Sequence, residues 1–554
     1  MTPFEAPLGD IFFSLACVGA DDLPDWDGPL AREIAGHFAA FAEGEIAPLD
    51  EPGDRQGCRL ENGRVRMPDG FAAVYRDYAA MGWPGLTAPE AFGGQGMSAV
   101  IGAVTSEIFT GANHSLQMVT GLVPGAVRTL LAFGTGDQQA RLIPALASGA
   151  MLSTMCLTEP GAGSDLSRIR CKALRDGDGK GDGWRIEGEK IFISGGDQDM
   201  SEDILHLVLA RTSGDGVKGL SLFATTRAAA GDRIKVTRIE EKMGLHASPT
   251  CQMLFDGAPA ELIGAEGGGL KAMFTMMNHA RTDVALQGVA HAARACDIAR
   301  RYAAGRVQGR GADGGAVMLD GHADVARMID AMDRQALGAR ALAHLCVVTM
   351  ERGDDPDLVE FLTPLAKAHC TEAGIAAANT GIQVLGGYGY LREYRLEQTF
   401  RDARITAIYE GANGIHARML ATRLLGGAAG AAFAAFLERA AGDATVAALL
   451  GRWHAARERL LGGDDATALA QPFAELTTHL LLAHLWTVLQ ARADSRHDSR
   501  ARVVEHPHRR VERRDDEGER DERLHRPAGE DPVVDLQHVE RAGQHQQVHD
   551  EAEA

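Results

Sequence analysis

The stretch ITAIYEGANGI, residues 405–415, places one acidic residue, Glu410, directly after an apolar run and directly before Gly411. Apolar neighbours such as Ile408 would keep water away from the carboxylate, and the loss of solvation raises the pKa of such a group. A carboxylate whose pKa approaches the working pH is suited to act as a general base. The alternative is structural, because a glutamate at a helix start interacts favourably with the helix dipole. The local sequence leaves both interpretations open.

A second candidate is the glycine-rich segment CLTEPGAGSD, residues 156–165. A proline interrupts a strand-like run, and Gly161 and Gly163 remove side chains, so backbone N–H groups can approach a ligand closely. Thr158 and Ser164 add hydroxyl groups on either side of the turn. The same pattern is typical of an ordinary turn, so by itself it does not establish a ligand site.

The segment GEKIFISGG, residues 188–196, has the alternation of a strand. Because successive side chains of a strand point to opposite faces, we expect Lys190, Phe192 and Ser194 to share one face. That face would offer an aromatic ring beside a hydroxyl group, which suits a flat heteroaromatic cofactor. The alternative is a half-exposed strand whose phenylalanine covers an edge of the core.

Two other patterns resemble ligand loops without completing them. IQVLGGYGYLREY, residues 382–394, has three glycines that free the backbone, but no βαβ unit surrounds it, which excludes a Rossmann motif. DGDGKGDGWRIE, residues 176–187, has the spacing of a calcium loop, but Lys180 occupies a position that needs an oxygen ligand. We interpret the second as a tight turn between strands and predict no metal site.

The composition excludes some classes of protein. The chain has 554 residues, a formal net charge of -20 and 45% hydrophobic residues, so a general nucleic-acid binder is excluded while a large core is expected. No apolar run has the length of a membrane span, and the amino terminus lacks the basic leader of a secretory signal.

The eight cysteines are scattered and form no C-x-x-C pair, which favours reduced thiols in a cytoplasmic protein. They are Cys17, Cys58, Cys156, Cys171, Cys251, Cys296, Cys346 and Cys370.

The periodicity changes twice along the chain. Helical spacing dominates to about residue 150, short β-branched runs bounded by turns follow to about 270, and helical spacing then resumes. Residues 426–493 are rich in alanine and leucine and predict two or three further helices. The predicted domains are 1–152 (α-helical), 153–270 (β), 271–425 (α-helical), 426–495 (helical extension) and 496–554 (tail).

The tail from Arg496 differs in composition from the rest of the chain. It contains no Phe, Trp, Tyr, Ile or Met and many charged residues, so it cannot bury enough apolar area to offset its ordering entropy. We predict that it is disordered. The composition is also typical of a GC-rich gene read in a shifted frame, a hypothesis that resequencing of the gene would test.

These motifs, in this order, resemble the acyl-CoA dehydrogenase family from about residue 30 to residue 425. The fold that this resemblance implies is α+β, with an α-helical domain, a central β-barrel-like domain and a C-terminal four-helix bundle. FISGGDQDMSEDILHLVLAR, HASPT and the helical extension resemble the larger branch that includes 3-methylmercaptopropionyl-CoA dehydrogenase. The matching motifs are GWPGLTAPEAFGGQG, CLTEPGAGSDL, GEKIFISGG, GLHASPT, GAEGGGL, NHAR, QVLGGYGY, RDARI and IYEGANGI.

The resemblance implies bound FAD and oxidation of an acyl-CoA thioester to its trans-2-enoyl-CoA. Glu410 matches the catalytic base that removes the α-proton, and the β-hydrogen leaves as hydride to the flavin. The backbone N–H of Glu410 and a flavin ribityl hydroxyl would polarise the thioester oxygen. Gly411 would give the substrate room, and Asn413 is expected to cap the helix that begins near Gly414.

The resemblance also assigns binding residues, partly across a subunit boundary for the FAD pyrophosphate, which Arg306 and the stretch 383–387 would hold. The implied FAD contacts are Met155, Cys156, Leu157, Thr158, Gly163, Ser164, Phe192, Ser194, Arg306, Gln383, Gly386, Gly387 and Asn413. The implied substrate contacts are Ser164, Asn278, Arg281, Tyr409 and Gly411.

Three positions depart from the family pattern. Phe192 stands where many members have Trp, so stacking is kept but the indole N–H is lost. Asn278 replaces an acidic residue, which puts that contact with CoA in doubt, and Ala412 replaces a Thr that commonly touches the cofactor.

Three functions remain open at this point. A dehydrogenase would pass electrons to an electron-transfer flavoprotein, an acyl-CoA oxidase would pass them to oxygen, and a scaffold would keep the fold without the activity. The sequence does not separate the first two, since oxygen reactivity depends on solvent access to the flavin. Retention of Glu410 counts against the third. The resemblance to related proteins with helical extensions, which are often dimers, implies a homodimer.

Overall fold

The computed structural model describes residues 3–176, 183–214, 216–311, 314–440 and 442–496. The chain forms two compact units that divide after residue 415. The predicted disordered tail at 496–554 lies outside the described residues except for its first residue. The middle of the predicted turn at 176–187 also lies outside them.

The amino-terminal part of the first unit is helical, and its sequence supplies the caps. Asp27 accepts a hydrogen bond from the N–H of Leu30 at 2.9 Å, and Thr135 and Gln138 form a reciprocal capping box. The elements are α1 (Leu8–Cys17), α2 (Gly28–Phe41), α3 (Asp50–Gln56), β1 (Arg59–Glu61), β2 (Arg64–Arg66), α4 (Phe71–Ala80), α5 (Ala99–Thr120), α6 (Val123–Phe133) and α7 (Gly136–Ala147).

Helix α5 is interrupted at Asn113, whose φ of -162° and ψ of 93° are not helical. The side-chain oxygen of Asn113 accepts a hydrogen bond from the N–H of Leu116 at 3.0 Å and so caps the second half of the helix. The next residue, His114, is buried at this break.

The central region is a closed sheet. Strand pairing runs β6–β4–β5–β9–β7 and returns from β7 to β6, which makes a ring of five strands; β3 and β8 extend it beside β6 and β9. This is the barrel-like sheet that the family resemblance implied. The elements are β3 (Met151–Cys156), β4 (Lys172–Arg175), β5 (Trp184–Ser194), β6 (Asp203–Arg211), β7 (Leu220–Thr226), α8 (Arg227–Ala230), β8 (Ile234–Ile239) and β9 (Thr250–Ile263).

Three long helices and the shorter α12 then pack together. The long helices α9 and α11 approach closely, because a Cβ atom at Gly288 would lie 2.2 Å from the carbonyl oxygen of Cys370. The elements are α9 (Gly269–Gly305), β10 (Val307–Arg310), β11 (Ala316–Met318), α10 (Ala323–Arg352), α11 (Pro356–Leu385), α12 (Leu396–Arg404) and α13 (Asn413–Met419).

In the second unit, α14, α15 and α16 contribute residues to a core around Trp453. The indole Nε1 donates to Oγ1 of Thr477 at 3.0 Å, and the ring centroid lies 5.5 Å from that of Phe433. The helices are α14 (Ala428–Ala440), α15 (Ala444–Gly462) and α16 (Ala470–Arg496).

Within the described ranges no single helix has the length and hydropathy of a membrane span, although two bent helix pairs reach those limits when taken together.

Candidate active site

Glu410 lies in a short loop between a 3₁₀ turn at Ile405–Ala407 and helix α13. Its φ is 53°, a left-handed conformation that is rare for a residue with a side chain, and Gly411 follows with φ 94°. Glu410 is partly buried, and burial raises the pKa of its carboxyl group from the ordinary 4.5 to about 7. The charges of Arg281 and Lys367 oppose that rise. The carboxyl group therefore changes protonation near neutral pH.

The expected rise in the pKa of Glu410 is confirmed, and Ile408, one of the neighbours expected to contribute to it, is 50% exposed. Ile408 directly follows the 3₁₀ turn, and half of its side chain stays accessible to water. Desolvation of Glu410 thus comes from the surrounding tertiary structure rather than from its sequence neighbour.

Two cationic side chains donate hydrogen bonds to successive backbone carbonyl groups of the Glu410 loop. Nε of Arg281, on α9, donates to the carbonyl oxygen of Glu410 at 3.3 Å. The ammonium group of Lys367, on α11, donates to the carbonyl oxygen of Gly411 at 2.8 Å. The sequence analysis missed Lys367, because a lysine inside a helical apolar pattern gives no local signal of its role.

The expected cap by Asn413 is not observed, because α13 begins at Asn413 itself. Its amide instead connects the loop to α11. Its Nδ2 donates to Oγ1 of Thr371 at 3.0 Å and to Oε1 of Glu372 at 2.7 Å, and its Oδ1 accepts from Nζ of Lys367 at 2.9 Å. Its assignment as an FAD contact stays a prediction.

The hydroxyl group of Tyr409 faces a buried polar network. It donates to Oε1 of Gln287 and lies 3.3 Å from Nε2 of His114. Nδ1 of His114 in turn lies 2.8 Å from Nε2 of His291, and burial lowers the pKa of both histidines. The phenol is therefore occupied by protein groups, and the predicted contact with substrate falls to the rest of the Tyr409 side chain.

The same network reaches a cavity of about 100 Å³ between α5, α6, α9 and α10. Nε2 of Gln287 donates to Oε1 of Gln117 at 3.0 Å, and Nε2 of Gln117 donates to Oδ2 of Asp283 at 2.8 Å. Gln117 and Asp283 line the cavity, whose aromatic residues are Phe38, Tyr78, Trp83 and Phe109. The sequence analysis did not identify the cavity, because its lining comes from helices far apart in the chain.

The segment 155–164 leaves strand β3 and is fixed by a buried ion pair. Nζ of Lys190 donates to Oε1 of Glu159 at 2.8 Å and to the carbonyl oxygen of Leu157 at 2.9 Å. Cys156 and Leu157 have buried side chains, so only their backbone groups remain for the predicted FAD contact. The other predicted contacts here are more open: Met155 and Thr158 are half-buried and Gly163 and Ser164 are exposed.

The expected shared face of Lys190, Phe192 and Ser194 is wrong. Lys190 is 0% exposed and Phe192 is 60% exposed, since the pairing of β5 with β9 shifts between Lys190 and Ile193. Phe192 has φ 58° at this bulge, which directs its ring outward. An exposed aromatic ring next to the partly buried Ser194 provides the flat surface that a flavin would cover.

Helix α5 connects this surface with the Glu410 loop. A Cβ atom at Gly195 would lie 3.3 Å from Cγ1 of Val119, while His114, five residues earlier on the helix, contacts Tyr409. Five residues of helix span roughly 8 Å. The end of β5 and the Glu410 loop therefore both lie against the same segment of α5.

The predicted pyrophosphate contacts form a separate group. The guanidinium carbon of Arg306 lies 5.5 Å from the ring centroid of Tyr388, which follows Gly386 and Gly387 directly. Gln383 and both glycines are exposed. Arg306 ends helix α9, 25 residues after Arg281, a separation of roughly 38 Å along a helix. Within a single chain, the predicted pyrophosphate contacts therefore lie far from Glu410.

The predicted substrate contacts are closer together. Nη1 of Arg281 donates to Oδ1 of the exposed Asn278 at 3.0 Å, and Nε of Arg281 reaches the Glu410 carbonyl. Gly411 lies in the same loop. The side-chain oxygen of Asn278 therefore accepts a hydrogen bond from one N–H group of Arg281. A carboxylate at this position would accept the same hydrogen bond and would also form an ion pair with Arg281.

Comparison with known proteins gives the family. The family models for the N-terminal, middle and C-terminal domains of acyl-CoA dehydrogenases match residues 29–150, 154–258 and 267–425. The chain belongs to the acyl-CoA dehydrogenase family. It is thus an acyl-CoA dehydrogenase with the fold expected from the sequence, and FAD is the cofactor of this family.

The chain is also similar to individual proteins of known sequence or structure. The chain is 39% identical over 454 residues to 3-methylmercaptopropionyl-CoA dehydrogenase of Ruegeria pomeroyi, covering 76% of each. The structure of Caenorhabditis elegans ACDH-11, in complex with C11-CoA, covers 91% of both chains with a TM-score of 0.77 and 20% identity. The Bacillus anthracis acyl-CoA dehydrogenase complexed with FAD covers 85% of this chain and 83% of its own, with a TM-score of 0.71 and 22% identity.

Proposed function

We propose that the protein oxidises a short acyl-CoA thioester to its trans-2-enoyl-CoA and that Glu410 removes the α-proton. The observation that carries this proposal is the pKa of the Glu410 carboxyl group, which burial raises to about 7. The preceding residue, Tyr409, is joined by hydrogen bonds through Gln287 to Gln117, which lines a cavity with room for a short acyl chain. A carboxylate tuned in this way accepts a proton from a weakly acidic carbon more readily than an ordinary glutamate does.

The left-handed loop contributes orientation. With the carbonyl groups of Glu410 and Gly411 bonded to Arg281 and Lys367, the loop is fixed before substrate arrives. A base held in place avoids the entropy that ordering it during the reaction would require. The N–H of Glu410 is proposed to donate to the thioester oxygen, which acidifies the α-carbon.

FAD is proposed to lie against Phe192 and the segment from Met155 to Ser164, with Ser194 beside it. The exposed ring of Phe192 is the feature of this chain that fits a flavin. When bound, FAD supplies the acceptor for the β-hydrogen as hydride, which is chemistry that no side chain provides.

The pyrophosphate of FAD is proposed to be held by a second copy of the chain in a homodimer. Arg306, Gln383, Gly386 and Gly387 lie together, yet Arg306 is roughly 38 Å along α9 from Arg281. A partner subunit would bring its own copy of this group to the flavin of the first.

The acyl group is proposed to enter the cavity. A cavity of about 100 Å³ has room for on the order of seven water-sized groups, which suits a short chain. Trp83 Nε1 is buried without a hydrogen-bond partner in the described structure, and aromatic rings surround it. Sulfur makes favourable contacts with aromatic rings and accepts weak hydrogen bonds. Together with the similarity to the Ruegeria pomeroyi enzyme, this favours 3-methylmercaptopropionyl-CoA as substrate.

The electrons are proposed to pass to an electron-transfer flavoprotein in the cytoplasm, where the eight free cysteines would stay reduced. An oxidase would instead produce hydrogen peroxide in proportion to the enoyl-CoA formed. A peroxide assay during turnover separates the two acceptors.

The deciding experiment is anaerobic bleaching of the bound flavin by a panel of acyl-CoA thioesters. We expect bleaching by short chains, fastest with 3-methylmercaptopropionyl-CoA, and near-complete loss of bleaching in Glu410→Gln with FAD still bound. Glu393→Gln, an exposed position, is the matched control and should behave like the wild type. A colourless wild-type protein, inert to every thioester, would point to the scaffold function.

A further inference from the structure

Lys367 is a buried lysine whose positive charge the proposed reaction has not yet used. It lies in α11, is 0% exposed, and donates to two oxygens of the loop that carries Glu410: the carbonyl of Gly411 at 2.8 Å and Oδ1 of Asn413 at 2.9 Å. Both acceptors are neutral. A buried ammonium group with neutral acceptors is weakly stabilised as a cation unless a negative charge is near.

Lys367 contacts a loop with an unusual backbone conformation. Glu410 and Gly411 both have positive φ, and a non-glycine residue keeps such a conformation only where its surroundings impose it. Arg281 donates to the carbonyl oxygen of Glu410, and Lys367 donates to the carbonyl oxygen of Gly411. The side chain of Asn413 connects the end of the loop to α11.

We propose that Lys367 is a positioning residue for the Glu410 base: its ammonium group fixes the 410–413 loop and favours the carboxylate form of Glu410. This inference rests on the proposed function of Glu410 as the base. It assigns to a residue of α11 a role in the reaction without contact to substrate or cofactor.

The charges around the pair support this role. Lys367 lowers the pKa of Glu410 against the effect of burial, and Glu410 raises the pKa of Lys367, which burial brings down to about 7. Arg281 from α9 lowers the pKa of Glu410 more than Lys367 does, and it also lowers the pKa of Lys367. Glu372 from α11 acts in the other direction on Lys367 and favours its charged form. The two groups thus act as counter-charges: protonation of Glu410 favours loss of the proton from Lys367, and loss of the proton from Lys367 favours protonation of Glu410.

Two variants separate the charge of Lys367 from its hydrogen bonds. Lys367→Gln keeps a donor and removes the charge, whereas Lys367→Met removes both. We expect the pKa of Glu410 to rise by about 1 unit in each. Flavin reduction at pH 6 should then fall about tenfold in K367Q while recovering at pH 9, and K367M should lose rate at both pH values because the loop is no longer held.

Infrared difference spectroscopy gives a readout that does not depend on turnover. The carboxyl band that disappears in E410Q identifies Glu410, and its titration midpoint is compared in the wild-type holoenzyme, K367Q and K367M. Lys235→Gln, which removes a lysine paired with Asp256 on the surface at 3.3 Å, should leave the midpoint unchanged. An unchanged midpoint in K367Q would overturn the inference, and K367Q alone decides if K367M does not fold.

The two proposals fail differently. A wild-type protein that no acyl-CoA reduces, with the Glu410 midpoint still moved in K367Q, refutes the proposed function only. Normal reduction together with an unmoved midpoint and an unmoved pH profile refutes the role of Lys367 only.

Discussion

The ammonium group of Lys190 lies 2.8 Å from Oε1 of Glu159, and the two side chains are 0% and 6% exposed. The same carboxylate accepts the N–H groups of Arg170 at 2.6 Å and Cys171 at 3.0 Å. One buried ion pair therefore joins strand β5 to the turn that is proposed to hold the flavin.

Removing one partner should be costly, because the other charge would stay buried and unpaired. We expect Glu159→Gln to lower the free energy of unfolding by about 3 kcal/mol and to lower the FAD content of the purified protein. Denaturant titration measures the first and the visible spectrum the second. Asp256→Asn, which breaks the exposed pair with Lys235, should change stability by less than about 1 kcal/mol. Equal effects of the two variants would contradict this role for Glu159.

Flavin reduction should depend on pH with a midpoint near 7. The base must be ionised, and the pKa of Glu410 is about 7, so the rate should rise tenfold per pH unit below 7 and level off above it. Stopped-flow reduction with a short acyl-CoA between pH 5.5 and 9 measures the profile. A midpoint near 4.5 would mean that Glu410 is solvated in the holoenzyme.

The raised pKa of Glu410, which favours its proposed role as a base, should lower the stability of the fold as pH rises. A carboxyl group whose folded pKa lies above its unfolded value of 4.5 destabilises the fold as pH rises from 4.5 to 7, because only the unfolded state releases the proton. Relative to the wild type, Glu410→Gln should therefore gain up to about 3 kcal/mol at pH 8 and almost nothing at pH 4.5. Denaturant unfolding at the two pH values tests this, and a gain that does not depend on pH would exclude it.

The hydroxyl group of Tyr409 should matter for stability more than for binding. Tyr409→Phe leaves Oε1 of Gln287 and His114 without that partner, and an unsatisfied buried group costs about 1–3 kcal/mol. We expect a lower melting temperature with KM for the acyl-CoA changed less than twofold. Tyr390→Phe, at an 82% exposed position, is the matched control. A large increase in KM would show that the phenol contacts substrate.

Trp83 should distinguish a thioether chain from a hydrocarbon chain. Trp83→Phe removes the indole N–H but keeps an aromatic ring in the cavity. The preference for 3-methylmercaptopropionyl-CoA over pentanoyl-CoA, in which a methylene replaces sulfur, should fall about threefold to tenfold. The ratio of kcat/KM values measures the preference. An unchanged ratio would remove Trp83 from substrate selection.

A mixed dimer should reveal whether subunits share a site. Arg306→Met and Glu410→Gln should each inactivate the homodimer. In a hybrid of the two variants, one site has both defects and the other has none, so about half of the wild-type activity should return. Hybrids made with two affinity tags provide the measurement. No recovery in a stable hybrid would place Arg306 and Glu410 of one chain at the same flavin.

Much of the fold was predictable because it depends on local pattern. Helical, strand-like and again helical periodicity predicted the three regions, and the glycine-bounded Glu410 in an apolar stretch indicated a base. The motifs then predicted the family, which the family models confirm. These features depend on residues within about ten positions of each other.

The tertiary structure decided what depends on distant residues. Alternation predicted that Phe192 shares a face with Lys190, but a shift in pairing with β9 separates them. Apolar neighbours predicted the raised pKa of Glu410, yet Ile408 is half exposed, and the pKa is raised by burial of the carboxyl group in the folded protein. The roles of Lys367 and Glu159 arise only where other elements bring their partners to them, since a hydrogen bond or a charge pair requires contact in space. Sequence alone therefore determined which elements form and which glutamate is the candidate base, whereas the packing of α9, α11 and the sheet determined how that glutamate is held and charged.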